Sequence, residues 1–439
     1  MEDRTGAALF PRLRMGLAGL LLLGILGLAG LASASPRYLL RVNGELLLET
    51  RAPEALKAAL SGWADQALSR PVTLEYEGQR WSYPARELGL SLPLEEAGAR
   101  LAAAIARRGW WQREVMVELE LPASWETARL EAALAPVRAA LERPPVPASL
   151  EVAGDAVRII PSVDGRRVEA AAVARALGSL EGDRLPLPVR SVPPDLTTAG
   201  AEAMGIRRLV AAWTTHYDPA IPRAENVERA ARALDGLMLK PGEILSYNAV
   251  VGPIDARSGW REAYVIHGGE LVPGIGGGVC QVATTLYGAA LRANMEILER
   301  HPHQLAVSYI PPSEDAAVAQ GYQDLKIRNT TPGHLLVRTE SGGGSVTIRL
   351  YGDLPAGQTV QIQSRVTGSL PVPTRLVQDS SLAPGQRVTV SPGAPGITSE
   401  AYRLLFMDGE LVRRELLSRD RYLPTAAVVR SGPASSGAE

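Results

Sequence analysis

The chain has 439 residues, enough for several domains, and 46% of them are apolar; 46 basic against 47 acidic side chains leave a formal net charge of −1. That balance gives no electrostatic footprint for nucleic acid, and none is expected as a partner. A single cysteine, Cys280, rules out an internal disulfide framework.

At the N-terminus, Arg4, Arg12 and Arg14 precede the run MGLAGLLLLGILGLAGLASA (15–34), which is long enough to cross a bilayer as a helix. It ends in Ala32-Ser33-Ala34, a small-residue pattern that a signal peptidase can cut. Residues 1–35 are therefore expected to be a signal peptide or a membrane anchor. The arginines stay inside, the cytoplasmic membrane is a partner through this segment, and the remainder is extracytoplasmic, anchored or secreted to the wall. In an oxidising compartment a lone thiol is a liability, so Cys280 is either buried and inert or kept for its reactivity.

Residues 36–195 read as a duplication. VTLEYEGQRWSYPARELGLSL (72–92) aligns with ASLEVAGDAVRIIPSVDGRRV (148–168), matching Leu74-Glu75 to Leu150-Glu151, Gly78 to Gly154 and Pro84 to Pro161. Each copy predicts a strand, an amphipathic helix, a hairpin turning on glycine and a second helix, giving two similar α/β units over 37–112 and 113–192. Neither copy holds a histidine or a cysteine. The pattern resembles the peptidoglycan-binding domain that occurs in tandem at the N-terminus of exported wall proteins, which implies peptidoglycan or its precursors as partner. The proline-containing stretch VRSVPPDLTTAGAEAMG (189–205) marks a boundary.

Chemistry concentrates in 206–336, which holds Cys280 and, within it or at its edge, all five histidines. Gly276, Gly277 and Gly278 remove side chains where the chain enters a helix and expose backbone N–H groups beside Cys280. The spacing predicts a helix to about Leu298 with an apolar stripe of Val282, Leu286, Ala289, Ala293 and Ile297. Cys280 falls opposite it, on the side of Thr284 and Tyr287. On the first turn the helix dipole favours a thiolate, and the same amides, with Gln281 as a side-chain donor, suit an oxyanion. RHPHQLAVSYI (300–310) supplies a base: the alternation His303, Leu305, Val307, Tyr309 predicts a strand that begins at His303, and His301 can share its face. Asp315 or Asp324 would orient the imidazole. Helix-borne Cys followed by strand-borne His is the order of papain-like and transglutaminase-like sites, so an enzyme here would be a Cys/His acyl transferase or amidase. The bland alternative leaves Cys280 and the histidines structural. The spacing of Cys280, His301 and His303 matches no standard zinc site, and the glycines lack the Lys-Ser/Thr of a phosphate loop, so neither a metal nor a cofactor is expected.

The stretches ENVERAARALDGLMLKPGEILSYNAVVGP, GGGVCQVATTLYGAAL, ERHPH, VSYIPPSEDAAV and QDLKIRNTTP together resemble the VanW family, named for an accessory gene in some vancomycin-resistance clusters. The family's pattern falls on Asn226-Val227, on Pro241, Gly242 and Glu243, on Gly276 to Gln281, on His301 and His303, and on Asp315 and Asp324. Leu245-Ser246-Tyr247-Asn248 keeps the polar pair of the family's Phe-Ser-Phe-Asn, and Ser313-Glu314 replaces a glycine-containing pair before Asp315. The resemblance implies a cell-envelope setting and supplies no reaction. Gly276, Gly277, Gly278, Gln281, Thr284 and Asn248 are the candidate binding residues around Cys280.

Past Tyr351 the chain turns to short β-rich runs with tight turns, including an Asp408-Gly409 hairpin signal. Residues 355–432 resemble the G5 domain through Ser381-Leu382, Pro384-Gly385, Gly393, Gly396, Tyr402, Gly409, Glu415, Pro424 and Gly432, with 433–439 as a tail. The resemblance implies a helix-poor, elongated module separable from the cysteine segment. The fold class is thus α+β and multidomain, with duplicated N-terminal α/β units, a central α+β domain with Cys at a helix N-terminus and His on the following strand, and a C-terminal all-β module. The expected function is an exported envelope protein that binds peptidoglycan, carrying a thiol site for acyl or amide bonds of wall peptides. The alternative is a non-catalytic peptidoglycan or precursor binder.

Overall fold

The computed structural model describes residues 35–433. The leader expected over 1–35 falls almost wholly outside them, as does nearly all of the 433–439 tail. Among the described residues no helix is long and apolar enough to cross a membrane. The described residues form two compact units, one of those up to 146 with 163–195, the other of 147–162 with those from 196 on.

In the first unit, Arg37–Val42 lies between Glu45–Thr50 and Glu114–Leu119. EVMVEL alternates, so Val115, Val117 and Leu119 point inward while the glutamates face water. The helices Pro53–Ser69 and Leu94–Ala106 cover this sheet with Leu56, Leu60, Ala97 and Leu101. The parallel strands pair Arg37 with Glu114, a separation of 77 residues, so equivalent strands of the duplication lie side by side. A second core sets Pro71–Tyr76, flanked by Gln79–Pro84 and Arg184–Pro186, against the helices Thr127–Leu141 and Ala170–Gly178. The element order of the two copies repeats, but each core does not belong to one copy: Leu130, Leu134 and Val137 of the second copy bury Val72 and Leu74 of the first. A single strand-helix unit has too little apolar surface to stand alone, and exchanging faces enlarges both cores.

The second hairpin, Ser149–Ala153 with Ala156–Ile160, joins the sheet of the second unit instead. That six-stranded antiparallel sheet continues through Arg208–His216, Ser345–Gly352, Leu335–Gly342 and Met238–Leu239. Helices Arg223–Leu234 and Val279–Arg292 pack on it through Val227, Ala230, Leu234, Val282, Leu286 and Ala289 against Val337, Ile348 and Leu350. A Cβ at Gly288 would lie 2.4 Å from the Trp213 ring, so glycine sets how closely the cysteine helix sits on the sheet.

The cysteine helix is shorter than its periodicity predicts. It ends at Arg292, because Asn294 takes a left-handed φ of 57° that closes the last turn, and Ile297 then belongs to the strand Glu296–Glu299. Nor is the helix amphipathic in place: every residue from Gln281 to Leu291 is buried. The strand expected from His303 does not form. Pro302 lacks an amide and the His303 N–H is taken by the Asp315 carboxylate, which leaves only an isolated His301–Ala317 bridge there.

From 358 to 433 the regular elements among the described residues are strands alone. Gln358–Leu370, Gly396–Met407 and Glu410–Tyr422 form one sheet, and Thr374–Gln378, Ala427–Ser431 and Arg387–Ser391 another. The long hairpin turns at Asp408-Gly409, both at positive φ, as its turn signal requires. The β module expected to be separable makes buried contacts with the cysteine domain within one compact unit. Tyr422 and Ser399 are each 1% exposed, Ile362 and Leu417 pack on the core of the cysteine domain, and Arg403 donates to the Met295 carbonyl at 2.7 Å.

Candidate functional site: a thiol, an imidazole and a carboxylate

The approach to Cys280 is built from close contacts that only glycine permits. The hairpin Glu262–His267 with Glu270–Ile275 delivers the chain to Gly276, at φ 82°. A Cβ there would lie 2.3 Å from Ile254, one at Gly277 would lie 2.6 Å from the Tyr264 carbonyl, and one at Gly278, at φ 110°, 2.8 Å from Arg223. Gly278 caps the helix without a side chain, and the Val279 and Gln281 amides on either side of the half-buried Cys280 donate to the Gly276 and Gly278 carbonyls at 3.1 and 3.0 Å. The glycines act here as backbone spacers beside the thiol.

The structure brings Cys280, His303 and Asp315 together. His303 Nδ1 and Asp315 Oδ2 are 2.7 Å apart, which leaves the other ring nitrogen for Cys280, whose sulfur and the imidazole are near enough to shift each other's ionisation. Sγ also lies 3.5 Å from both the N–H and the carbonyl of Val318. Burial opposes ionisation of the thiol, but the hydrogen bond and charge of His303, the Val318 N–H and the Arg223 charge outweigh it and bring the thiol below its usual range. Burial likewise disfavours imidazolium, yet Asp315 and Cys280 push His303 up to about 9. Asp315 is held at about 2: burial raises it, and His303 and Arg300 more than compensate. These shifts favour a thiolate beside an imidazolium, backed by an ionised carboxylate.

The other sequence candidates take different places. His301 Nε2 faces Glu299 at 3.2 Å, away from the thiol. Asp324 accepts from Ser246 Oγ at 2.5 Å, from the Asn248 N–H at 2.9 Å and from the Leu325 N–H at 2.8 Å; it pins a turn and is not the third member. Asn248 shares that turn, donating Nδ2 to the Gln323 carbonyl. Gln281 is fully buried, and its amide donates to Thr215 Oγ1 and the His216 carbonyl, so it has no donor left for an oxyanion. Its Oε1 accepts from Arg223, which aims that guanidinium toward the thiol. Thr284 bonds both the N–H and the carbonyl of Ala316, anchoring the segment that carries Asp315.

Sequence reasoning missed Arg300, Tyr309 and Tyr422. Arg300, next to His301, donates from Nε to the Asp315 carbonyl at 2.6 Å and from Nη2 to its Oδ1 at 2.9 Å. Tyr309 lies under Arg223, 5.5 Å from ring centre to guanidinium. Its place in VSYIPP, inside the family pattern, was a usable signal; Tyr422, over a hundred residues away, offered none. Ser313, where a glycine-containing pair was expected, adopts φ 66° and is held there by the Tyr422 hydroxyl and by Ser399, at 2.7 Å each.

A thiol, an imidazole and a carboxylate at a helix N-terminus, in a chain built from wall-protein modules, is the class of arrangement these observations define. Residues 222–351 match the family model described as "VanW like protein", residues 81–180 the one described as "Putative peptidoglycan binding domain" and residues 361–434 the one described as "G5 domain". It is 40% identical over 129 residues to the uncharacterized protein YoaR of Bacillus subtilis, covering 29% of this chain and 43% of that one. It is 32% identical over 111 residues to the vancomycin B-type resistance protein VanW of Enterococcus faecalis, covering 24% and 40%. The chain thus spans less than half the length of the curated relatives it matches. Among solved structures it is similar to HP0197-G5 (21% identity, 17% of this chain and 97% of that one, TM-score 0.12) and to the IgA1 protease G5 domain (19%, 18%, 94%, 0.14).

Proposed function

We propose that this is an exported cell-envelope protein, held at or released from the membrane by residues 1–35, that binds peptidoglycan and uses Cys280 to cleave or transfer acyl or amide bonds of wall peptides. The observation that carries this reading is the grouping of Cys280, His303 and Asp315, with His303 Nδ1 2.7 Å from Asp315 Oδ2 and the thiol and imidazole close enough to shift each other. The thiolate attacks the carbonyl carbon, and the positive end of the helix dipole at Cys280 favours the oxyanion that forms. His303 gives its proton to the leaving amine as the amide bond breaks. The resulting thioester is then opened by water or an acceptor amine, from which His303 takes a proton, and the thiolate is restored. Asp315 keeps the imidazole in the tautomer that serves both transfers.

Glycan recognition falls to the first unit. A cleft of about 440 Å³ there is lined by Trp63 and Trp125, with Arg70, Glu118 and Glu120 at its wall. Flat indoles suit the C–H faces of sugars, and the ionic groups suit the amides, hydroxyls and carboxylates of a muropeptide.

Cys280→Ala is expected to abolish turnover of purified muropeptides, followed by mass spectrometry, while binding to insoluble peptidoglycan and the melting temperature stay near wild type. Turnover that survives Cys280→Ala, or a wild-type protein that binds without altering any fragment, would reduce the molecule to a wall-binding protein with a structural thiol.

A further inference from the structure

The carboxylate of the thiol site is held from the far end of the chain. Tyr422, the last residue of the strand Glu410–Tyr422, places its hydroxyl 2.5 Å from Asp315 Oδ1. The same oxygen accepts the Ser313 N–H at 2.7 Å, and an ionised Asp315 can only accept, so the phenol proton points at the carboxylate. Arg300 binds Asp315 with one nitrogen and Asp420 with another, at 2.9 and 2.7 Å, and its side chain is 6% exposed. Asp420 is fixed in turn by Ser418 at 2.9 Å. From the same module, Ser364 donates to the Pro312 carbonyl and Ser399 meets the Ser313 hydroxyl, in the segment that leads into Asp315.

We propose that the C-terminal β module is part of the thiol site, with Tyr422 a positioning residue that acts through Asp315 on His303 and Cys280. The inference rests on the thiol-site reading above and deepens it. Asp315 accepts four hydrogen bonds at its side chain, two from His303, one from Arg300 and one from Tyr422. His303 and Arg300 face it from the 300–303 segment. Tyr422 faces it directly, and Asp420 through Arg300, both from the C-terminal strand. Tyr287 of the cysteine helix and Tyr309 are near enough to feel its charge, while its neighbour Glu314 is tied to Arg292. Of these, only Tyr422 is a neutral donor whose loss changes no formal charge at neutral pH. Its removal weakens the stabilisation of the ionised carboxylate, so Asp315 takes up a proton at a higher pH on acidification and the imidazolium loses its partner sooner. The module's docking is thereby read out at a thiol in another part of the unit.

The test is the pH profile of Cys280 alkylation by iodoacetamide in the full-length protein and in Tyr422→Phe. The acid limb should move upward by roughly half a pH unit or more, with the alkaline limb less affected. A purely structural tyrosine would lower the melting temperature and leave the profile of the folded fraction superimposable on wild type, which would overturn the proposal. If Tyr422→Phe does not fold, Asp420→Asn, which loosens Arg300, replaces it with the same two outcomes. The assay needs no substrate, so it separates from the reading it rests on: turnover unaffected by Cys280→Ala sinks the acyl chemistry, while an unmoved acid limb sinks only the coupling.

Discussion

Replacing His303 with asparagine is expected to slow alkylation of Cys280 by on the order of a hundredfold at pH about 5.5. The magnitude follows from two opposing effects. Without the imidazolium, only the Val318 N–H and the Arg223 charge are left to oppose burial, and an ordinary thiol three units below its pKa is only about one part in a thousand ionised. The thiolate that does form is more basic and a better nucleophile, which gives back about tenfold. The remaining loss marks an ion pair, because a cysteine merely filling the helix mouth would react at the same slow rate with either residue at 303. His301→Asn is the internal control: His301 faces Glu299, so its replacement should leave the rate within about twofold.

Asp315→Ala is expected to be the costliest single substitution at the site, destabilising the protein by about 3–5 kcal/mol. The carboxylate is 1% exposed and sits between Arg300 and His303, so its removal leaves a buried guanidinium with Asp420 as its one remaining carboxylate at the site and leaves the Tyr422 hydroxyl proton without its acceptor. The linkage gives a second signature. A carboxyl held at about 2 in the fold, against about 3.9 when unfolded, adds stability that is present above the unfolded value and lost as pH falls through about 2. His303, raised to about 9, adds stability that is full below about 6.5 and lost as pH rises through about 9. Asp315→Ala should remove the acid contribution and weaken the alkaline one, so denaturant unfolding across pH reads both. Equal stability of variant and wild type at neutral pH would contradict the buried network.

What the sequence could reveal was local. Three glycines before a cysteine, at the start of an apolar run, are a pattern confined to six residues, and the geometry it implies is present. The choice of His303 over His301, and of Asp315 over Asp324, was not legible, because both members of each pair carry the same chemistry and only the fold decides which ring faces the sulfur. The strand expected at His303 failed because periodicity sees side chains and not the backbone donor that Asp315 captures. The helix end was missed for a related reason: Asn294 is an unremarkable residue until its φ is known. The exchanged cores of the first unit and the Tyr422–Asp315 contact join residues far apart in the chain, and nothing in either local pattern encodes the partner. Resemblance to a spacer module pointed away from that contact.

The central claim is that Cys280 rests as a thiolate paired with His303. It is tested most directly by titrating the ultraviolet absorbance of the thiolate in native full-length protein against Cys280→Ser. The difference signal should persist well below the ordinary thiol range of about 8.5, and it should collapse toward that range in His303→Asn. A wild-type signal that appears only at or above that range would mean a neutral, buried thiol, and the catalytic account would fall with it.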